Sequence, residues 1–142
     1  MRYYDILENE SHRSIEPIPK NVNDIATTIL DAAFEVHKTL GPGLLESVYK
    51  TCLIYELRKK GLLVEKQVKV PIQYKDIYLD GELRLDILVE NLVLVEVKSI
   101  EKLAPIHEAQ VLTYLKLTGH RVGYLINFNA YRLKDGIRRL VL

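Results

Sequence analysis

Apolar residues in the first half of the chain recur every three or four positions, the spacing of amphipathic helices. Asn23-Asp24 can cap a first helix that runs to about Leu40, and Gly41-Pro42-Gly43 ends it. The same spacing predicts a second helix from about Leu44 to Lys60, which ends at Gly61. The apolar stripe of the first helix consists of Ile25, Ile29, Ala32, Ala33, Val36 and Leu40.

Beyond Gly61 the apolar residues alternate with polar ones, which is typical of half-exposed strands. One alternating run ends at a candidate turn at Lys75-Asp76, and a second continues to Val89 with a possible kink at Asp80-Gly81. Glu90-Asn91 is a candidate hairpin turn before a third strand, residues 92–100, because Asn tolerates the backbone conformations that such a turn needs. The alternating apolar residues are Val64, Val68, Val70, Ile72, Tyr74, Ile77, Leu79, Leu83, Leu85 and Ile87.

The last third of the chain returns to helical spacing and then to strands. Pro105 can open a helix that runs to about Thr118 and stops at Gly119. Residues 122–128 predict a fourth strand and residues 137–142 a short fifth. The first three strands should be antiparallel, whereas a helical crossover lets the fourth pair in parallel with an inner strand. The sequence therefore predicts an α/β fold, a mixed sheet flanked by helices.

The first 21 residues differ from the rest of the chain. They are polar and end in a segment with two prolines, Pro17 and Pro19, which oppose regular structure. We predict an N-terminal arm over residues 1–21, flexible or in contact with a partner, and one folded domain over residues 22–142.

The composition indicates the cellular compartment of the protein more clearly than its function. The single cysteine, Cys52, excludes an intrachain disulfide, and no apolar stretch has the length or the flanks of a membrane span or a signal peptide. We therefore expect a cytoplasmic protein. The net charge of +1 gives no global argument for nucleic acid. Residues 116–142 are locally basic, which suits either a phosphate backbone or an unevenly charged soluble surface.

Glu96 and Lys98 carry the strongest candidate chemistry. They lie two residues apart in a strand of Leu and Val, so both side chains project from one face. Asp86 lies in the preceding strand. If the two strands pair across Glu90-Asn91, opposed residue numbers add up to about 181, which puts Asp86 opposite residue 95. A change of register or a bulge decides whether Asp86 and Glu96 converge.

Two converging carboxylates would repel each other unless a cation joined them, and a hard divalent ion such as Mg²⁺ prefers oxygen ligands. The alternative is a solvated Glu–Lys pair without function. Similar alternatives hold elsewhere: Glu46 suits a helix N-terminus, Tyr49 and Tyr114 suit a core, and Gln110 suits a polar helix face. The histidines show no pair at helical spacing, so we interpret His37 and His107 as structural or surface residues.

Several motifs, taken together, resemble a known family. Residues 43–49 read GLLESVY, which matches the G-x-x-E-x-x-Y signature of the small bacterial and archaeal proteins named for it. The match continues through residues 95–98 (VEVK), 107–117 (HEAQVLTYLKL) and 125–129 (LINFN), and it covers about residues 24–141. These GxxExxY proteins resemble the PD-(D/E)XK nuclease superfamily, which includes restriction endonucleases and RecB-type nuclease domains. The resemblance implies a restriction-endonuclease-like core of order αβββαβ.

The resemblance also implies functional residues. Asp86 corresponds to the metal-binding aspartate of the motif, and Glu96 and Lys98 to its (D/E)XK pair. The Val97 carbonyl is an implied further metal ligand, and Glu46 an implied helix-borne glutamate that supports a metal or its water. Gln110 and Tyr114 correspond to the Q-x-x-x-Y motif of the RecB-like branch.

This set of residues implies a nuclease that uses Mg²⁺, or Mn²⁺ as a substitute, to hydrolyse phosphodiester bonds, with DNA as the expected nucleic acid. A homodimer or a larger nuclease or helicase partner would supply specificity elements that a chain of 142 residues has little room for. The alternatives are a catalytically silent module that binds nucleic acid or protein on the same fold, and a structural or regulatory subunit that dimerises through the arm or an edge strand.

Overall fold

A computed structural model describes residues 16–142, and it contains every helix and strand that the sequence predicts. None of the helices in this part of the chain is long and apolar enough to cross a membrane. A 3₁₀ helix before the last strand was not predicted. The elements, in chain order, are α1 (Lys20–Leu40), α2 (Glu46–Lys59), β1 (Val64–Tyr74), β2 (Ile77–Val89), β3 (Val93–Lys98), α3 (Pro105–Thr118), β4 (Val122–Asn127), the 3₁₀ helix (Leu133–Gly136) and β5 (Ile137–Val141).

The sheet has the predicted mixed topology. Over residues 16–142 its strand order is β1-β2-β3-β4-β5, the same as the order along the chain. The first three strands are antiparallel, β3 and β4 are parallel, and β5 returns antiparallel to β4. Helix α3 forms the crossover between β3 and β4, which is what a parallel pair of neighbouring strands requires. The predicted α/β class is confirmed.

Each face of the sheet is covered by helices, and β3 contributes to both cores. Val93, Val95 and Val97 pack on the face covered by α1 and α2, with Tyr49 and Phe128 in the same core. Leu94 packs on the other face, in the core that includes Val111, Leu112 and Leu115 of α3. Because side chains alternate along a strand, Glu96 and Lys98 share the α3 face with Leu94.

Strands β1 and β2 change faces together, next to Asp86. In β2, Ile87 belongs to the core under α1 and α2, whereas Leu85 belongs to the core under α3. In β1, Val64 and Val70 divide between the two cores in the same way. Between them Gln67 has φ 51°, outside the extended region. The β1–β2 hairpin is therefore twisted at this point, and the regular alternation of side chains along β2 is interrupted at Asp86.

The register between β2 and β3 differs from the predicted register by one residue, because of the turn that joins these strands. Glu90 and Asn91 have φ values of 54° and 53°, which confirms the turn there. Leu92 is also excluded from the ladder, so Val89 pairs with Val93 and Ile87 with Val95. Opposed residue numbers therefore add up to 182 rather than 181. Continuation of this register puts Asp86 opposite Glu96 and not opposite Val95.

Helix α1 begins earlier than its predicted cap. It starts at Lys20 after Pro19, so Asn23 and Asp24 lie inside it and neither is the cap. Val22 is buried in the core and Ile18 packs against it, which extends the helix beyond the local capping signal. The predicted boundary at residues 21 and 22 consequently falls within α1. Of the predicted arm, residues 1–15 lie outside the described residues.

Gly136, in the 3₁₀ helix, is expected to resist substitution. A Cβ at this position would collide with the backbone carbonyl of Asn127 and would lie 2.9 Å from the Cβ of Ala130. We expect Gly136→Ala to lower the free energy of unfolding by about 1–3 kcal/mol, the usual range for overpacking. Urea denaturation would measure it, with exposed Lys134→Ala in the same turn as the control. Equal stabilities of the two variants would contradict the expectation.

Candidate active site

Strands β2 and β3 separate at Asp86 and Glu96, and their side chains replace the missing backbone pairing. The Val97 N–H donates to Asp86 Oδ2 over 3.0 Å, and the Asp86 N–H donates to Glu96 Oε1 over 3.3 Å. The carboxylates of Asp86 and Glu96, whose convergence the sequence left open, therefore both lie in the gap between the strands. The Val97 carbonyl points towards the same edge of β3 as its N–H, because both groups of a strand residue project to one side.

Glu96 is buried to an extent that is unusual for a carboxylate. Only 6% of the surface of this residue is exposed to solvent. Burial, and next the charge of Asp86, raise the pKa of Glu96 from an ordinary 4.5 to about 7. The Asp86 N–H, Lys98 and Lys50 act in the opposite direction and keep that pKa from rising further. Glu96 is therefore divided between its neutral and its charged form near neutral pH.

Lys50 of α2, which was not among the residues predicted for the site, also belongs to this cluster. Its Nζ lies 2.9 Å from Asp86 Oδ1 and 3.9 Å from Glu46 Oε2. Glu46 thus reaches Asp86 through the ammonium of Lys50, and the Glu46 side chain is 43% exposed. The available signal was the spacing of Glu46 and Lys50, which lie four residues apart on one helix face. The metal-supporting role of Glu46 stays a prediction.

The loop before α2 is held in place by Tyr49. Its hydroxyl donates to the Gly41 carbonyl over 2.6 Å and accepts from the Leu44 N–H over 3.0 Å. Its ring is fully buried and stacks on Phe128, with the ring centroids 4.9 Å apart. Gly43 has φ 100° at this loop, a conformation that glycine adopts without strain. Tyr49 is therefore a structural residue, which agrees with its interpretation as a core aromatic.

The same loop is tied to the segment that follows Lys98. The Ser99 hydroxyl donates to the Leu44 carbonyl over 2.6 Å, and the Gly43 N–H donates to Asn129 Oδ1 over 3.0 Å. Asn127, itself buried, accepts from the Ile100 N–H over 3.1 Å. These bonds fix the start of α2, and hence Glu46 and Lys50, relative to the end of β3.

Removal of the Tyr49 hydroxyl tests this anchoring. Tyr49→Phe keeps the stacked ring but leaves the Gly41 carbonyl and the Leu44 N–H without their partner. We expect a loss of about 1 kcal/mol in the free energy of unfolding, the usual net worth of such a hydrogen bond. Thermal or urea denaturation would detect it beside Tyr131→Phe, a control at a residue that is 88% exposed. Identical midpoints for both variants would show that the hydroxyl does not stabilise the loop.

Helix α3 supplies the other wall of the cluster. Gln110 and Tyr114 share the helix face that looks towards Glu96, and a side-chain hydrogen bond joins them. Burial, followed by the charges of Glu96 and Asp86, raises the pKa of Tyr114, and the bond from Gln110 opposes that rise. A cavity of about 440 Å³ lies between this face and Lys98. The Q-x-x-x-Y residues and the (D/E)XK lysine thus border one space.

His107 lines the same cavity, in a defined tautomer. Its Nδ1 accepts the Ala104 N–H over 2.9 Å at the start of α3, so its proton sits on Nε2. This reciprocal contact caps the helix, because the His107 N–H also donates to the Ala104 carbonyl over 2.9 Å. His107 therefore has a structural role through Nδ1, as predicted. Its ring also borders the cavity beside Lys98. His37 donates its Nε2–H to the Ala130 carbonyl over 2.9 Å, which agrees with its interpretation as a structural residue.

The oxygen atoms of this cluster fit a small divalent cation. Among residues 16–142 no group of three or more His, Cys, Asp or Glu side chains could hold a metal. Asp86 and Glu96 nevertheless form a pair of hard oxygen donors, and Asp86 already contacts the cation of Lys50. Mg²⁺ is commonly held by one or two carboxylates and keeps several waters. The oxygen donors of this cluster that could hold such an ion are Asp86, Glu96 and the Val97 carbonyl.

Comparison with known proteins agrees with this geometry. A family model described as the PD-(D/E)XK nuclease superfamily matches residues 23–140, which include all of the residues of the cluster. No curated protein and no solved structure gave a match.

Proposed function

Because the chain belongs to the PD-(D/E)XK nuclease superfamily, we propose that it is a metal-dependent nuclease that hydrolyses phosphodiester bonds in DNA. The convergence of Asp86 and Glu96 in the gap between β2 and β3 supports this most directly. A nuclease needs a cation beside the scissile phosphate, and these two carboxylates form the part of the cluster that would hold it.

Each residue of the cluster has a separate role in the proposed reaction. Asp86, Glu96 and the Val97 carbonyl would hold Mg²⁺, or Mn²⁺ as a substitute. When bound, the metal polarises the phosphate and makes a bound water more acidic. Lys98 orients that water and offsets the negative charge that develops on the phosphate oxygens. Gln110 and Tyr114 orient the phosphate from the opposite wall of the cavity. Glu46 and Lys50 adjust the charge around Asp86 from α2.

The assignment of the chain to one branch of the superfamily is also a proposal. The order of the loop signature, the VEVK strand and the Q-x-x-x-Y helix supports membership in the GxxExxY proteins and the RecB-like branch. The hydrogen bond between Gln110 and Tyr114 gives those two residues a shared role that either alone would lack. We propose that they act as one unit that holds the substrate and not as separate ligands of the metal.

Cleavage assays on labelled DNA test the proposed function. Purified protein would be incubated with single-stranded, double-stranded and branched DNA in the presence of Mg²⁺, Mn²⁺ or EDTA. We expect cleavage with either metal and none with EDTA. Cleavage that persists in EDTA would contradict the metal dependence. Tight binding without cleavage under any condition would favour the silent binding module.

A further inference from the structure

A second cavity opens on the other side of Asp86, between α2 and β1. It has a volume of about 490 Å³, which is within the usual range for ligand sites. Helix α2 lines it with residues spaced at helical intervals, and β1 closes it at Lys66 and Gln67. We call it the α2–β1 groove. Its distinctive members are Lys50, Tyr55, Arg58 and Lys66.

The groove has one sign of charge. Three of its lining residues are basic, and no lining residue is acidic. Arg58 donates through one guanidinium nitrogen to the Val64 carbonyl over 2.9 Å, which fixes its side chain beside the groove. Lys66 is exposed and has no ion pair with any residue between 16 and 142 in this structure. A groove of this kind raises the local concentration of anions such as phosphate groups.

Tyr55 adds an aromatic surface that the core does not use. It is 63% exposed although it lies on the helix that covers the sheet, and the Nζ of Lys59 lies 5.8 Å from its ring centroid. An exposed ring between basic side chains is the combination with which proteins hold single strands: bases stack on the ring and phosphates meet the cations. Bases within a duplex are already stacked on one another, so only unpaired bases can use such a ring.

The groove leads directly to the candidate catalytic carboxylates. Lys50 lines it and contacts Asp86 Oδ1 over 2.9 Å. Gln67 lines it where the β1–β2 hairpin curls beside Asp86. The cavity with Lys98 and Tyr114 lies on the α3 side of the same carboxylates. Asp86 and Glu96 therefore lie between the α2–β1 groove and the cavity beside Lys98 and Tyr114.

We propose that the α2–β1 groove binds the unpaired nucleotides next to the scissile phosphate, so that the substrate is single-stranded at the point of cleavage. Tyr55 stacks on a base, and Arg58 and Lys66 contact the neighbouring phosphates. This inference rests on the proposed nuclease function and adds the form of the substrate to it. The binding contacts in the groove do not depend on a metal, since none of Tyr55, Arg58 and Lys66 is a proposed metal ligand.

Fluorescence anisotropy with a labelled 12-nucleotide single-stranded DNA, in EDTA, tests the groove without cleavage. Tyr55→Leu removes the ring and is expected to raise Kd on the order of tenfold, within the range for loss of one base stack. Tyr55→Phe keeps the ring and should bind within about twofold of the unaltered protein. A duplex of the same sequence should bind more weakly and should not distinguish Tyr55→Leu from the unaltered protein.

The salt dependence of binding tests the charge of the groove. Lys66→Gln should reduce the slope of log Kd against log salt concentration by about 0.7, which corresponds to one phosphate contact on a single strand. Lys75→Gln makes the same charge change at the turn beyond β1 and should leave the slope unaltered. It lies just beyond the end of β1 that is away from the groove.

A parallel cleavage series with Mg²⁺ distinguishes failure of the groove from failure of the nuclease. Cleavage by the unaltered protein with an unchanged KM in Tyr55→Leu would overturn the groove and leave the nuclease standing. Binding that depends on Tyr55, with no cleavage, would support the groove and contradict the nuclease. No binding to the single strand, or equal effects of Tyr55→Leu and Tyr55→Phe, would overturn the groove.

Discussion

Replacement of Asp86 by Asn or of Lys98 by Gln is expected to reduce metal-dependent cleavage of DNA by about 10²- to 10³-fold, the usual loss for a group that stabilises a transition state. The two substitutions act differently. Asp86→Asn removes a charge from the metal ligands and from the ion pair with Lys50, but its amide oxygen can still accept the Val97 N–H that bridges β2 and β3. Lys98→Gln removes the cation that, in the proposed mechanism, offsets charge on the phosphate.

Matched controls separate chemistry from folding in this experiment. Asp76→Asn and Lys75→Gln make the same changes at the turn between β1 and β2, away from the cluster, and should cleave normally. Metal affinity, measured by calorimetry, should fall in Asp86→Asn and should be retained in Lys98→Gln. Cleavage by Lys98→Gln at the rate of the unaltered protein would show that the proposed mechanism is wrong.

Glu96 should make the metal-free protein less stable as the pH rises from about 4.5 to about 7. Its pKa in the folded protein lies above the value of 4.5, so in this interval the folded state binds more protons than the unfolded state. The favourable contribution is fully present below pH 4.5 and is lost as the pH passes about 7. At about 1.4 kcal/mol per pH unit, the interval between these values corresponds to roughly 3 kcal/mol.

Urea denaturation in EDTA at several pH values between 5 and 8 would measure this contribution. Glu96→Gln can still accept the Asp86 N–H and has no charge to bury, so its advantage over the unaltered protein should grow with pH. Glu101→Gln, at an exposed residue, should show no such trend. Addition of Mg²⁺ above pH 7 should stabilise the unaltered protein and not Glu96→Gln. Parallel curves for Glu96→Gln and the unaltered protein would contradict the prediction.

The sequence was a good guide to the elements because their boundaries carry local signals. Pro105 and Gly119 bound α3 where predicted, and the strand order followed from one helical crossover. The start of α1 was predicted incorrectly because the burial of Val22 outweighs the capping signal at Asn23 and Asp24. That packing depends on residues far away in the sequence, which a local pattern does not contain.

The cluster was only partly predictable for a related reason. Asp86, Glu96 and Lys98 could be identified from their types and spacing, but their convergence depends on whether Leu92 joins the ladder. A single residue in a turn shifts the register by one position and moves side chains to the other face. Lys50 was missed because a lysine on an amphipathic helix is ordinarily solvated, and only the tertiary structure brings it to Asp86.

The carboxylates between β2 and β3 serve the fold as well as the proposed chemistry, since they accept the N–H groups that the ladder leaves over. This dual use has an evolutionary consequence. A relative with this fold that did not cut DNA would still need acceptors at positions 86 and 96, whereas the Lys98 ammonium donates no comparable bond to the backbone of residues 16–142. The lysine, and not the acidic pair, is therefore the residue by which active and inactive lineages should be told apart.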